Sequence, residues 1–421
     1  MAATSGRRPA WLAPRSLELP PGEIPVVELR SVPRQPFAFR KMVGHIAASI
    51  TPGDLVRVLS PQRELLGYAL CNPRAEMPLR FVRRGSEPPT PAYWESLVDR
   101  AIELRRTMLG LDQQTNACRI LHAEADGFPG LVVDRYDDVL SAEVFSLAMY
   151  QRAGAVLDLL AARLGTRHSV IQVAPQTHGQ EAFEADAIVS EQCPSQVVVE
   201  EFGTQFKVNF SEGHKTGFFC DQRENRRRLA EFSKGRSVAD ICCYTGGFAI
   251  QALRLGQAES VVGVDLDETA VAQARANAKL NSVKPTFVQA DAFAWMRDML
   301  RNGRKFGVVV LDPPKLIRSR RELEDGQIKY LDLNRLAVQL VEPGGLLLTC
   351  SCSGLMPNDE FLTTVQNAAW QASSRPETGA ATEPISLQIL ARTGAAADHP
   401  VGVDCPTTEY LHAIWLRVLR T

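Results

Sequence analysis

Between residues 25 and 88, apolar and polar positions alternate in short runs, "IPVVELRSV", "DLVRVLSPQRELLGYALCNP" and "PLRFVRRG", broken by Pro, Gly and Asn. A period of two predicts strands and the punctuation predicts turns, so this stretch reads as a small β-barrel or partly open sheet. "EPPTPAYW" reads as a linker, and the helical spacing of "YWESLVDRAIELRRTML" opens the next unit. Residues 118–173 give three strands, a helix ("YQRAGAVLDLLAARLG") and a fourth strand, which together make a compact α+β unit. A hairpin, "QVVVEEFGTQFKVNF", comes next.

From about residue 235 strands alternate with helices: "SVADICCY", "GFAIQALRLG", "SVVGVDLD", "TAVAQARANAKLN", "TFVQAD", "FGVVVLDPP", "LNRLAVQLVEPGG" and "LLLTCSCS". Such alternation implies βαβ units and a doubly wound, mostly parallel α/β sheet. "QASSRPETGAATEP", residues 371–384, predicts a loop. The expected organisation is a flexible tail over 1–24, a β-rich module over 25–88, an α+β domain over 89–196 and a Rossmann-like domain over 197–421.

Composition changes this picture little: 45% hydrophobic and 23% charged residues are ordinary for a globular protein. No apolar run approaches the roughly 20 residues that span a bilayer. Nine cysteines, an odd number without a secretory signal, argue for free thiols in a reducing cytoplasm. Net charge matters more. Residues 1–100 hold fourteen Lys and Arg against nine Asp and Glu, although the whole chain is at −1. A basic front on an acidic body suggests an anionic partner such as nucleic acid, with an ordinary solvated surface as the alternative.

In open parallel sheets, ligands bind at the carboxyl ends of strands. The first strand, with Asp240 inside it, ends in "YTGGFA", Tyr244 to Ala249, where Gly246 and Gly247 let backbone approach a ligand. Asp265, about 20 residues on, is placed to accept ribose hydroxyls, and Asp291 ends the third strand. The loop is not G-x-G-x-x-G, so an adenosine with a short charged group, as in S-adenosylmethionine, fits better than a dinucleotide. "GHKTGFFCDQRENRR" gathers Lys215, Asp221, Gln222 and Arg223 around Gly217, Phe218 and Phe219, as a lid over the cofactor or as a helix entry with Asp221 or a neighbour at the N-cap. The expected cofactor contacts are therefore Lys215, Thr216, Gly217, Phe218, Asp221, Arg223, Asp240, Tyr244, Thr245, Gly246, Gly247, Phe248, Asp265, Leu266, Asp291, Ala292, Asp312 and Pro313.

The fourth strand ends in "LDPPK", with Asp312 at the cleft and Pro313 and Pro314 stiffening the backbone immediately after it. Amino-group methylases carry an aromatic after the prolines to stack on a flipped base; here the residue is Lys315. Cys350 and Cys352 lie in "LLLTCSCSGL". Their spacing suits neither a zinc half-site nor a disulfide, and no metal is expected. Cys350 reads as a small buried hydrophobe. Cys352, at the strand's carboxyl end beside Asp312, reads as a nucleophile. Carbon 5 of a pyrimidine is a poor nucleophile until a thiolate adds to carbon 6, and Asp312 could hold the base and supply a proton at ring nitrogen 3.

With "HAEADGFPGLVVDRY", "GHKTGFFCDQRENR", "YTGGFA", "LDPPK", "SCSGLM" and "AADHP" assembled, the chain resembles the bacterial 23S rRNA (cytosine-5-)-methyltransferases, built from a PUA domain, an EEHEE domain and a class I Rossmann methylase. The resemblance implies S-adenosylmethionine-dependent formation of 5-methylcytosine in 23S rRNA, with Cys352 as nucleophile, Asp312 at the reacting base, and Pro314 and Lys315 against the substrate. Other RNA cytosine-5 methylases carry a second cysteine at the Lys315 position, so Lys315 fits the single-cysteine group. His399 matches the "DHP" segment. A homodimer is carried as an expectation that no residue pattern fixes. The rival readings are an rRNA guanine-N7 methyltransferase, which needs no thiolate, and a non-catalytic RNA-binding or assembly factor.

Overall fold

The computed structural model describes residues 9–210, 218–375, 377 and 383–420. They fall into two compact units: one comprises residues up to Val199 with Val208–Phe218 and Ala397–Thr408, the other Glu200–Lys207, Phe219–Ala396 and Glu409 onward.

The first unit opens with β1 (Val26–Glu28), β2 (Phe37–Ala38), β3 (Asp54–Leu59), β4 (Leu65–Cys71) and β5 (Leu79–Arg84), in the order β1-β3-β4-β5-β2. Alternation works as predicted here, burying Val27, Val56, Val58, Ala69 and Phe81 in one small core. Helix α1 (Pro91–Ile102) starts inside the expected linker, because Pro91 sits in the first turn, where a missing N–H costs nothing. Next come β6 (Ala117–His122), β7 (Leu131–Tyr136), β8 (Val139–Val144), α2 (Leu147–Leu164), β9 (His168–Val173), α3 (Thr177–Glu181) and β10 (Ile188–Val189). Their sheet runs β10-β9-β8-β7-β6, with β8 and β9 parallel across the α2 crossover. Ser146 caps α2 through the Met149 N–H, and Gly165, at φ +74°, ends it in the left-handed turn that glycine adopts without penalty.

The expected loose tail is corrected from Pro9 onward. Leu12 is buried in the main core, Trp11 lies under the Arg74 guanidinium, and Arg15 pairs with Asp54 at 2.6 Å. Short apolar residues among prolines give no periodicity, yet they dock.

The "HAEADGFPGLVVDRY" and "DHP" segments meet in a buried polar network of this unit. Arg105 forks onto Asp126 and donates to the Asp398 carbonyl; Asp398 Oδ2 accepts the Arg119 N–H at 2.9 Å, and Arg119 pairs with Asp134. His399 Nδ1 lies 3.0 Å from Asp398 Oδ1, and its ring meets that of His122 edge-on at 5.4 Å. Burial, then Arg119 and His399, pushes His122 down to about 2, so this imidazole stays neutral. These residues serve architecture.

The hairpin of β11 (Gln196–Glu201) and β12 (Thr204–Asn209) divides between the two units. The second unit then runs α4 (Arg223–Ser233), β13 (Ser237–Ile241), α5 (Gly247–Arg254), β14 (Ser260–Asp265), α6 (Glu268–Leu280), β15 (Thr286–Gln289), α7 (Ala292–Arg301), β16 (Phe306–Leu311), α8 (Leu323–Leu340), β17 (Val341–Ser351), α9 (Asn358–Ser374), β18 (Ile385–Thr393) and β19 (His412–Arg420). The sheet order is β15-β14-β13-β16-β17-β19-β18; the first five strands are parallel, and β19 runs antiparallel to both its neighbours, β17 and β18. The order reverses between β13 and β16, which creates the switch point where such sheets bind ligands. β16 is buried throughout, as expected of a central parallel strand.

Two expectations change in this unit. "EPGG" is part of β17, which takes up Gly344 at φ +78° beside a register shift against β16. Helix α9 continues to Ser374, into the expected loop. Asp221 lies in a 3-10 turn before α4, whose N-cap position falls on its neighbour Gln222, and its carboxylate accepts the Tyr410 hydroxyl at 2.6 Å.

Candidate active site

Strand β13 delivers Asp240 into the interior, fully buried, with Oδ2 accepting the Ala249 N–H at 3.0 Å. Burial pushes this carboxyl up to about 8; the Ala249 bond opposes the rise, and Asp312 and Asp265 add to it. Asp240 thus braces the first turn of α5 from below. Above it the backbone turns left-handed at Cys242 (φ +62°), Tyr244 (φ +48°) and Gly246 (φ +83°). Such clustered strain marks loops held for function. At Gly246 a Cβ would stand 2.8 Å from Phe287 Cζ, and at Gly247 one would stand 2.9 Å from Arg226 Cδ, so the turn has no room for side chains at either position.

The carboxylate of Asp265 ends β14 and ties the strand ends together: Oδ2 accepts the Tyr244 N–H at 2.8 Å and Oδ1 the Asp267 N–H at 3.0 Å. Leu266, next to it, is 67% exposed. Thr245 is held through its carbonyl by Asn277, Phe248 is buried, and the Tyr244 ring meets Phe219 edge-on at 5.0 Å. Asp291 caps α7 by accepting the Ala294 N–H, with Ala292 beside it half-buried. Arg223 is fully buried beside Glu224. The Phe218 carbonyl accepts the Tyr136 hydroxyl within the first unit. Lys215, Thr216 and Gly217 lie outside the described residues.

Register sets the chemistry beside the switch point. Leu311 of β16 pairs with Thr349 of β17, so Asp312 and Cys350 follow side by side, and Cys352 comes just past the strand's last residue, Ser351. That one step separates the two thiols. Cys350 is fully buried, and burial, reinforced by Asp312, holds its thiol well above the ordinary range. Cys352 is partly exposed, with Sγ 3.9 Å from the Pro313 carbonyl. Pro313 is buried, whereas Pro314 and Lys315 are exposed. Asp312 Oδ2 accepts the Gln222 amide at 3.0 Å.

Sequence reasoning overlooked the support under Cys352. Ser353 Oγ accepts the Ile317 N–H at 3.2 Å and lies 3.0 Å from the Tyr330 hydroxyl, which burial raises to about 12. A buried Tyr without its partner is costly, and "IKYLDLN" holds the one tyrosine of α8. Asn225, Thr393 and Trp415 were also overlooked. Among the described residues no group of three or more His, Cys, Asp or Glu could hold a metal ion, and no helix is long and apolar enough to cross a membrane.

The donors and shapes at the switch point fit S-adenosylmethionine. Exposed Leu266 offers an apolar face for adenine, Asp265 and Asp291 stand at successive strand ends, and the side-chain-free turn at Gly246 and Gly247 allows close backbone approach.

Residues 145–375 match the family model of S-adenosylmethionine-dependent methyltransferases, and residues 32–84 match a PUA-like domain. Two chains of solved structure share the fold: one described as a SAM-dependent methyltransferase from Streptococcus mutans (17% identity, TM-score 0.76) and one described as a methyltransferase complexed with SAH (18%, TM-score 0.77). Each covers 94% of this chain and 100% of its own. Among curated relatives, ribosomal RNA large subunit methyltransferase I of Pseudoalteromonas atlantica is 32% identical over 394 residues, spanning 92% of this chain and 96% of that protein. The enzyme of the same name from Aeromonas hydrophila is 33% identical over 407 residues, spanning 91% and 95%. The chain therefore belongs to the S-adenosylmethionine-dependent methyltransferases, in the family of ribosomal RNA large subunit methyltransferase I.

Proposed function

We propose that this protein methylates carbon 5 of a cytosine in large-subunit rRNA, with Cys352 as the nucleophile. The observation that carries this reading is the contrast between the two thiols: Cys350 is sealed in the core, while Cys352 is partly exposed past the end of β17, beside the Asp312–Pro313 backbone. A guanine or amino-group methylase has no use for such a thiol.

S-adenosylmethionine supplies an electrophilic methyl group. The Cys352 thiolate, its proton given up to solvent, bonds through Sγ to carbon 6 of the cytosine as the Asp312 carboxyl passes its proton to ring nitrogen 3, which makes carbon 5 electron-rich enough to take the methyl. The carbon-5 hydrogen then leaves as a proton to water, its electrons restore the 5,6 double bond as the bond from carbon 6 to sulfur breaks toward Cys352, and ring nitrogen 3 returns its proton to Asp312. A base within structured RNA must first be flipped out, and exposed Pro314 and Lys315 are placed to receive it. The PUA-like module and the basic front of the chain would hold the RNA mainly through its phosphates.

The test is nucleoside mass spectrometry on unmodified 23S rRNA incubated with S-adenosylmethionine and either the wild type or Cys352→Ala. 5-methylcytidine from the wild type alone is the expected result. Methylguanosine from both proteins would overturn the cytosine reading and favour guanine N7.

A further inference from the structure

A directed chain of hydrogen bonds ends on Asp312. Trp415 Nε1 donates to Thr393 Oγ1 at 2.8 Å, and Thr393 Oγ1 to Asn225 Oδ1 at 2.7 Å. Asn225 Nδ2 donates to Gln222 Oε1 at 2.7 Å, and Gln222 Nε2 to Asp312 Oδ2 at 3.0 Å. Trp415, Asn225 and Gln222 are buried.

The polarity of this chain is fixed at its far end. Indole N–H can only donate, so Thr393 Oγ1 must accept there and spend its own proton on Asn225. The Asn225 atom it meets must then be oxygen, which turns the amide nitrogen toward Gln222. A second contact agrees, since the same nitrogen donates to the Gly394 carbonyl at 3.2 Å. Gln222 must therefore present its oxygen to Asn225 and its nitrogen to Asp312. A flip of either amide would set donor against donor or acceptor against acceptor in a buried site, where each unmet group carries its full desolvation cost.

We propose that Trp415, Thr393, Asn225 and Gln222 are positioning residues that lock a donor onto Asp312 Oδ2, so that any proton Asp312 delivers to the substrate travels on Oδ1. This rests on the reading that Asp312 works on the substrate. The chain joins β19 and β18 to the entry of α4, and so gives the last two strands of the sheet a share in the chemistry at the end of β16. The titratable groups near Asp312 include Asp240 on β13, Cys242 after it, Cys350 on β17 and Cys352 just beyond that strand.

The experiment compares Thr393→Val, which keeps the shape and removes the hydroxyl, with Thr393→Ser, which restores it. Methyl transfer is followed from pH 5 to 9 on whichever nucleoside the wild type modifies. A charged acceptor that loses a fixed donor becomes easier to protonate. Thr393→Val should therefore move the ionisation that disappears in Asp312→Asn to higher pH and, because the proton is no longer confined to Oδ1, lower kcat about tenfold, with unchanged S-adenosylmethionine affinity by calorimetry. Thr393→Ser should return to the wild-type profile. Identical profiles for Thr393→Val and the wild type would overturn the chain, whereas a wrong cytosine reading would show itself in the product alone. A second readout needs no turnover. The Trp415 indole proton resonance, assigned by its loss in Trp415→Phe, should titrate in the wild type and cease to do so in Asp312→Asn; a resonance indifferent to Asp312 would also overturn the proposal.

Discussion

The carboxylate of Asp240 takes the backbone N–H of Ala249 at 3.0 Å from a position with no solvent exposure, and burial holds its carboxyl up to about 8. An acid that is raised on folding is at no disadvantage below its unfolded value near 3.8. As pH rises toward 8 the unfolded chain ionises and the folded one does not, so this group's contribution to stability falls across that window. Asp240→Asn removes the dependence. Its unfolding free energy relative to the wild type, read by urea titration, should climb between pH 4 and 8, by at most about 1.4 kcal/mol per pH unit. A constant difference across the range would contradict the assignment.

Gly246 combines φ +83° with a Cβ position 2.8 Å from Phe287. Gly246→Ala meets both backbone strain and a clash with a ring, so the turn must shift. S-adenosylmethionine affinity measured by calorimetry should weaken at least tenfold, while Gly303→Ala, at φ +66° in open space, should leave that affinity unchanged.

Glu201 and Arg226 form a buried pair, with contacts of 2.8 and 2.5 Å, and Gln251 donates to the same carboxylate at 3.2 Å. Burial alone would lower Arg226, but Glu201 outweighs it and the guanidinium stays charged. Glu201→Ala removes the carboxylate that holds this buried charge. A loss of about 3–5 kcal/mol in urea unfolding is expected. Glu201→Ala combined with Arg226→Met should recover much of it.

Lys315 is exposed beyond the Pro313–Pro314 step. If it meets RNA phosphate, Lys315→Ala should weaken RNA binding and reduce the slope of log affinity against log salt by about one, with kcat little changed. An unaltered slope would place Lys315 on the base rather than on the phosphate.

The alternation after residue 235 was legible because β14 and β16 are nearly all apolar and Asp265 and Asp312 mark their ends. The two thiols were separable because one residue of strand length decides burial there. Other features were hidden for physical reasons. The first half of α8, "LEDGQIKYLD", is polar and interrupted by Gly326, which looks like a breaker. In the structure that glycine lets Ile317 approach, a Cβ there falling 2.3 Å from Cγ1. β18 is a half-exposed edge strand with no clean period. The chain leading to Asp312 joins Asn225 to Thr393 across 168 positions, and no local pattern carries such a pairing. Asp240 was placed among the cofactor contacts from its strand, whereas its burial makes it a brace for the turn that bears them.

Residues 397–408 leave the methylase sheet after β18, belong to the first unit, and return as β19. The polypeptide is therefore laced rather than strung: no single cut separates the two units into whole pieces. A gene fusion or recombination event that carried off everything after the hairpin would take the Asp398 and His399 segment away from Arg105 and Arg119. Arg105 and Arg119 would keep Asp126 and Asp134 but lose the Asp398 carbonyl and carboxylate. Exchanging either unit for another therefore demands several junctions at once.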